Sequence, residues 1–94
     1  MEEKIVEVED IVKVIGRGLV IVVKIPYSDG DPVIGTDMTD CRTGNAHKLI
    51  SFGGMMTLMT HPQRKDTIEL RVEHPEEIEV GDKMKVWLRA RESN

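Results

Sequence analysis

Lys4-Ile-Val-Glu-Val-Glu-Asp-Ile-Val-Lys-Val-Ile15, Gly16-Arg17-Gly18 and Leu19-Val-Ile-Val-Val-Lys-Ile25 read together as strand, tight reversal and strand. Val6, Val8, Val12 and Val14 recur with a period of two, the spacing of a half-buried strand. Asp10 falls at the apolar phase, which predicts a bulge or kink there, or a functional carboxylate. Two glycines around Arg17 supply positive φ without steric cost, so the chain can reverse within three residues. Leu19 to Ile25 is a continuous strand expected to be covered on both faces, and Pro26 ends it.

Further along, turn-forming residues alternate with short apolar runs. Tyr27-Ser-Asp-Gly-Asp-Pro32 is a turn cluster. Gly35-Thr-Asp-Met38 is a second turn feeding a short strand, and Thr39 to Ala46 is a polar connection with Gly44-Asn45 at its tip. His47 to Phe52 is a strand broken by Gly53-Gly54. Met55 to Thr60 is Met-rich, and His61 to Asp66 is a polar connection. Thr67 to Glu73 alternates cleanly, with Ile68, Leu70 and Val72 facing in. Pro75 to Val80 is a helical turn or a bent strand. After Gly81-Asp82, a last strand points Met84, Val86, Leu88 and Ala90 inward and Trp87 outward. Ile34-Gly35-Thr-Asp-Met38 echoes Val80-Gly81-Asp-Lys-Met84, although the echo is too short to count as a repeat.

Composition agrees with this pattern. Valine and isoleucine number 20, leucine and alanine only 7. Branching at Cβ costs χ1 freedom in a helix and packs well on a pleated surface. A chain of 94 residues fits one domain. The expected fold is all-β, a small closed antiparallel barrel of six or seven strands over residues 1–91, with a tail at 92–94. The longest apolar run, Leu19 to Val23, is far short of the roughly 20 residues of a membrane helix. The N-terminus lacks the basic-then-apolar run of a signal peptide. Cys41 stands alone and cannot form an internal disulfide, so a reducing, cytoplasmic setting is expected.

Candidate chemistry is sparse. His47, His61, His74 and Cys41 do not sit at metal-ligand spacings, so no metal is expected. Asp29, Asp31, Asp37 and Asp40 lack the frame of a calcium loop and read as solvated turn carboxylates. Gly16-Arg17-Gly18 lacks the third glycine and lysine of a nucleotide loop, so no cofactor is expected. Cys41 has no signature of a nucleophile. Glu9 and Asp10 could do acid–base work only if a bulge brought them together, because neighbours on a strand point to opposite faces. The chain is expected not to be an enzyme. Met55 to Met59 and Trp87 read as packing residues or as interface anchors.

Three signatures in order resemble the second, β-barrel domain of translational GTPases, of which elongation factor Tu is the best-known member. Glu9-Asp-Ile-Val-Lys-Val-Ile-Gly-Arg-Gly-Leu-Val20 is similar to that domain's opening. Gly35-Thr-Asp-Met38 stands at its first Gly turn, and Glu76-Glu-Ile-Glu-Val-Gly-Asp-Lys-Met84 at its last. The resemblance spans nearly the whole chain and implies one closed barrel. It places Glu9 and Asp10 at the family's acidic pair near the aminoacyl group. Val12 and Val22 stand where the family forms its aminoacyl-end pocket, although the family often carries an aromatic at the first and Thr-Gly-Arg near the second. His47-Lys48-Leu49 is similar to an Arg-Lys-Leu segment. No GTP-binding motif is present.

The resemblance implies a binding module that contacts RNA, a tRNA acceptor end or a ribosomal or translation-factor partner. Ligand candidates are Glu9, Asp10, Val12, Arg17, Val22, His47 and Lys48. A net charge of −4 and three aromatics, Tyr27, Phe52 and Trp87, restrict any RNA contact to a local basic patch. Arg17, Lys24, His47, Lys48, Arg64 and Lys65 are its candidates. The competing expectation is a protein-interaction or scaffold barrel without a nucleic-acid role, including a homodimer through exposed strand edges. No membrane partner is expected.

Overall fold

β-Branched side chains build seven strands among residues 1–53 and 67–90, which are the residues the computed structural model describes. They are β1 (Glu2–Val14), β2 (Gly18–Lys24), β3 (Asp31–Pro32), β4 (Asp37–Asp40), β5 (Ala46–Gly53), β6 (Thr67–Val72) and β7 (Lys83–Arg89). Single 3-10 turns occupy Tyr27–Asp29 and Pro75–Glu77. Every pairing is antiparallel. The order β1-β2-β6-β5-β4-β7 returns to β1 and closes the barrel, so its six main strands leave no open end to the sheet. β3 is an added two-residue strand beside the end of β7, with Asp31 opposite Arg89. It lies inside the stretch that the sequence marks only as a turn cluster. The expectation of an all-β closed barrel is met.

β1 is long enough to serve two neighbours. Glu2 to Glu7 pair with β7, and Val8 to Val14 with β2. The register shifts between Val8 and Asp10. This bulge falls where Asp10 breaks the apolar phase, and it flips the side chains that follow. Val6 and Val8 point into the core, but beyond the bulge Ile11 takes the inner side and Val12 is exposed. Four valines at one period therefore do not share one face. A second irregularity lies between Leu49 and Ser51 on β5.

The core is filled from every main strand. Val8, Ile21, Val23, Met38, Leu49, Leu70, Met84, Val86 and Leu88 are all buried within it. β2 is covered on both faces as its composition predicts, since Val20 and Val22 are buried as well as Ile21 and Val23. On β6, Ile68, Leu70 and Val72 face in. The alternation of β7 ends earlier than its sequence pattern: Ala90 lies past the strand and is exposed.

The two Gly turns are structural equivalents. Gly35 N–H donates to Leu49 carbonyl at 2.8 Å, and Leu49 N–H donates back to Thr36 carbonyl at 2.9 Å. Gly81 N–H donates to Val8 carbonyl at 2.8 Å, and Val8 N–H donates back to Asp82 carbonyl at 2.9 Å. Leu49 and Val8 are each the last paired residue before a register shift. Met38 and Met84 follow the turns, and both are fully buried. The strand order is unchanged when β1 is exchanged with β5, β2 with β6 and β7 with β4. The short sequence echo is thus the visible part of an approximate two-fold relation in the barrel.

Candidate functional site

The outer face of β1, β2, β6 and β5 collects most of the residues singled out from the sequence. Asp10 stands opposite Val22, Val22 opposite Glu69, and Glu69 opposite Gly53. The adjacent row carries Val12 opposite Val20 and Arg71 opposite Ser51. Arg17 occupies the β1–β2 turn, where its N–H donates to Val14 carbonyl at 3.0 Å. Gly16 and Gly18 flank it with φ of 83° and 77°, the left-handed conformations a three-residue reversal needs.

A concavity of about 330 Å³ opens on this face. Arg17, Val20, Glu69 and Arg71 line it, together with Ser51, Phe52 and Gly53 of β5. Neither Arg17 nor Arg71 is ion-paired among the described residues, whereas Arg42 is. Two guanidiniums beside a hydroxyl make a site for an anion with several acceptor oxygens.

The other candidates are placed differently. Glu9 is exposed at the β1 bulge. The bulge breaks strict alternation there, but Asp10 commits one carboxylate oxygen to Ile11 N–H at 2.8 Å. His47 is fully buried on β5 opposite Met38, so it joins no surface patch. Its Nδ1 lies 2.9 Å from Glu73 carbonyl and therefore carries the ring proton. Lys48 is exposed further back on β5, opposite Asp37 of β4. Arg64, Lys65 and the Met55–Met59 run lie outside the described residues, as does the 92–94 tail. Trp87 is half-buried opposite Glu3 of β1, and Cys41 is exposed in the β4–β5 loop.

A second polar cluster was not legible as one. Asp40, read as a solvated turn carboxylate, is 0% exposed, and Asp82 only 6%. Arg42 joins them: its Nε donates to Asp82 Oδ1 at 2.8 Å, and its Nη2 donates to Glu77 carbonyl at 2.8 Å. Its backbone N–H donates to Asp40 Oδ1 at 2.8 Å. The guanidinium of Arg42 holds the Asp82 carboxyl down at about 2. Burial, and then the neighbouring Asp82 carboxyl, push Asp40 upward. One signal for this existed in the sequence: Asp40 is two residues beyond Met38 and shares its inward phase.

Asp82 makes the acid behaviour predictable. Its folded pKa lies below the ordinary carboxylate value of about 3.9. The stability that Arg42 confers through it is therefore full above that value and lost as pH falls towards 2. Urea unfolding of the wild type and Arg42→Ala should show a gap that is widest near pH 5 and closes towards pH 2. A gap independent of pH would show that Arg42 acts without the Asp82 charge.

No protein-family model, curated protein or solved structure matches the chain. Among the described residues no group of three or more His, Cys, Asp or Glu is placed to hold a metal ion. None of their helices is long and apolar enough to cross a membrane.

Proposed function

We propose that the barrel is a non-enzymatic binding module that takes the end of an RNA strand on its outer β2–β6–β5 face. The observation that carries this reading is the convergence of Arg17 and Arg71 on one concavity, both without an ion-pair partner among the described residues. Phosphate oxygens suit two guanidiniums, and the Ser51 hydroxyl beside them can accept from a ribose 2′-hydroxyl. The resemblance to the translational barrel supports the same face, since Asp10 and Val12 lie on its β1 row, Val12 opposite the Val20 that lines the concavity, although Val22 is buried there. A net charge of −4 makes this local pair of cations the attractive feature for a polyanion.

Fluorescence anisotropy with a short 5′-labelled single-stranded RNA tests the proposal. Two phosphate contacts give a slope of log K against log salt of roughly −1.4, or about a sevenfold loss of affinity between 50 and 200 mM. Arg17→Ala or Arg71→Ala should each weaken binding by about tenfold, the scale of one charge-assisted contact. Binding that is unchanged in the double variant, or absent at 50 mM salt, overturns it. The alternative is a protein partner, favoured by the exposed Ile5, Ile15 and Ile50. A pull-down whose yield is indifferent to salt and to Arg17 and Arg71 would identify that case.

A further inference from the structure

The Asp40–Asp82 cluster contains a donor deficit. Asp40 Oδ2 is fully buried, and no N–H or hydroxyl of the described residues reaches it. Arg42 nevertheless brings the two carboxyl groups together, with its backbone N–H on Asp40 Oδ1 and its Nε on Asp82 Oδ1, both at 2.8 Å, and each carboxyl shifts the titration of the other. Ionised carboxylates only accept, and two of them in one buried place repel. A single proton on Asp40 Oδ2 resolves both problems. Asp40 then donates to Asp82 while its Oδ1 accepts Arg42 N–H. Asp82 keeps Arg42 Nε on Oδ1 and accepts Glu79 N–H on Oδ2 at 2.9 Å. Every carboxyl oxygen of the pair is then hydrogen-bonded.

We propose that Asp40 and Asp82 hold one proton between them above the pH at which free aspartates ionise, and that this proton latches the Glu79–Asp82 turn to the β4–β5 loop. The β4–β7 ladder and Cys41 N–H on Lys83 carbonyl at 2.8 Å hold the loop to the start of β7, while side chains hold it to the turn. Arg42 bonds Glu77 carbonyl and pairs with Glu79 Oε2 at 3.0 Å, and Asn45 Nδ2 bonds Glu77 Oε1 at 3.1 Å. The charged and titratable surroundings are few. Arg42 is the cation on the pair from the loop, and Glu77 and Glu79 approach from the turn. On β7, Met84 stands opposite Asp40, and the Lys83 ammonium is bound to Glu7. On β5, His47 has its Nδ1 held by Glu73 carbonyl. Loss of the proton leaves two neighbouring carboxylates sharing one arginine, and the side-chain ties of the loop to the turn are expected to loosen.

The sign of the effect follows from burial. A carboxyl raised in the folded state contributes stability at low pH that is lost as pH rises through its folded pKa. The pair titrates as a unit, so the transition belongs to both groups. Above roughly pH 5, where unfolded carboxyls are ionised, the folding constant of the wild type should fall by up to tenfold per pH unit until the proton is gone. Asp40→Asn places an amide N–H where the proton stood, and its folding constant should lack this fall. Carbon-13 NMR of the aspartate carboxyls reads the titration directly in the wild type, so the test survives a variant that fails to fold. Hydrogen-exchange protection of the Arg42 and Glu79 amides should drop in step with it. An Asp40 carboxyl that titrates at or below about 3.9, an equal fall in Asp40→Asn, or amide protection indifferent to the titration overturns the proposal.

Discussion

Gly30→Ala is expected to lower stability by roughly 2–6 kcal/mol and the melting temperature by at least about 10 °C. Gly30 is buried between the first 3-10 turn and β3. A Cβ there would lie 2.3 Å from Arg89 carbonyl oxygen and 2.8 Å from its carbon. Both are backbone atoms of the end of β7, so no side chain can swing away to make room. The φ of +104° adds strain for any residue with a Cβ. The two costs act on one small region. Asp31 is paired with Arg89, and Asp29 holds Lys4 of β1 at 3.2 Å. Moving the backbone to relieve the clash would therefore disturb β3, β7 and the start of β1 together. Gly16→Ala is the matched control, with φ of +83° and nothing within 4 Å of its Cβ. It should cost only about 1–2 kcal/mol from backbone strain. Thermal unfolding of the two variants separates strain from overlap, and equal losses would refute the close approach at Gly30.

Leu70→Ala is expected to cost about 3–5 kcal/mol, as removal of a fully buried leucine does when its surroundings cannot collapse. Leu70 sits in the middle of β6, opposite Ile21 on one side and Phe52 on the other. Both neighbours are held by ladders that close around the barrel, so neither strand can move inward to fill the space. A domain of this length has a total stability of roughly 5–14 kcal/mol, so this one change removes a large share of it. Ile50→Ala, at a residue 44% exposed on β5, should change stability by only about 0.5 kcal/mol. Urea titration should show a lower midpoint with an unchanged slope for Leu70→Ala. A loss as small as that at Ile50 would mean that the barrel interior relaxes around the cavity.

Strand existence was legible because period and turn chemistry are local. Thr67 to Val72 alternates and forms β6 facing as its residues predict. Gly16-Arg17-Gly18 turns the chain where two glycines permit it. Asp10, out of phase among valines, marks the bulge. What a bulge does next was not legible. The register shift between Val8 and Asp10 turned Val12 outward, and the period of two runs straight through it in the sequence.

Site residues divided along the same line. Arg17 is visible in the sequence as a turn residue between two glycines. Arg71, by contrast, looks like any outward arginine on a strand until β6 is set beside β5 and the β1–β2 turn. His47 and Asp40 have polar side chains, which ordinarily belong at the surface. Both are buried, because the inward phase of a closed barrel leaves them no other direction. Asp40, Arg42 and Asp82 are separated by up to 42 positions in the chain, and no spacing rule connects them.

The sequence by itself determined that this protein is β, where its turns fall, and that Ile34–Met38 and Val80–Met84 echo one another. Those properties follow from φ preferences and side-chain periodicity, which act within a few residues. Tertiary structure alone decided which strands pair, which face each side chain takes after a bulge, and which charges meet. Barrel closure fixes all three at once, because the register that joins β7 to β1 is set by the whole ring rather than by any segment of it.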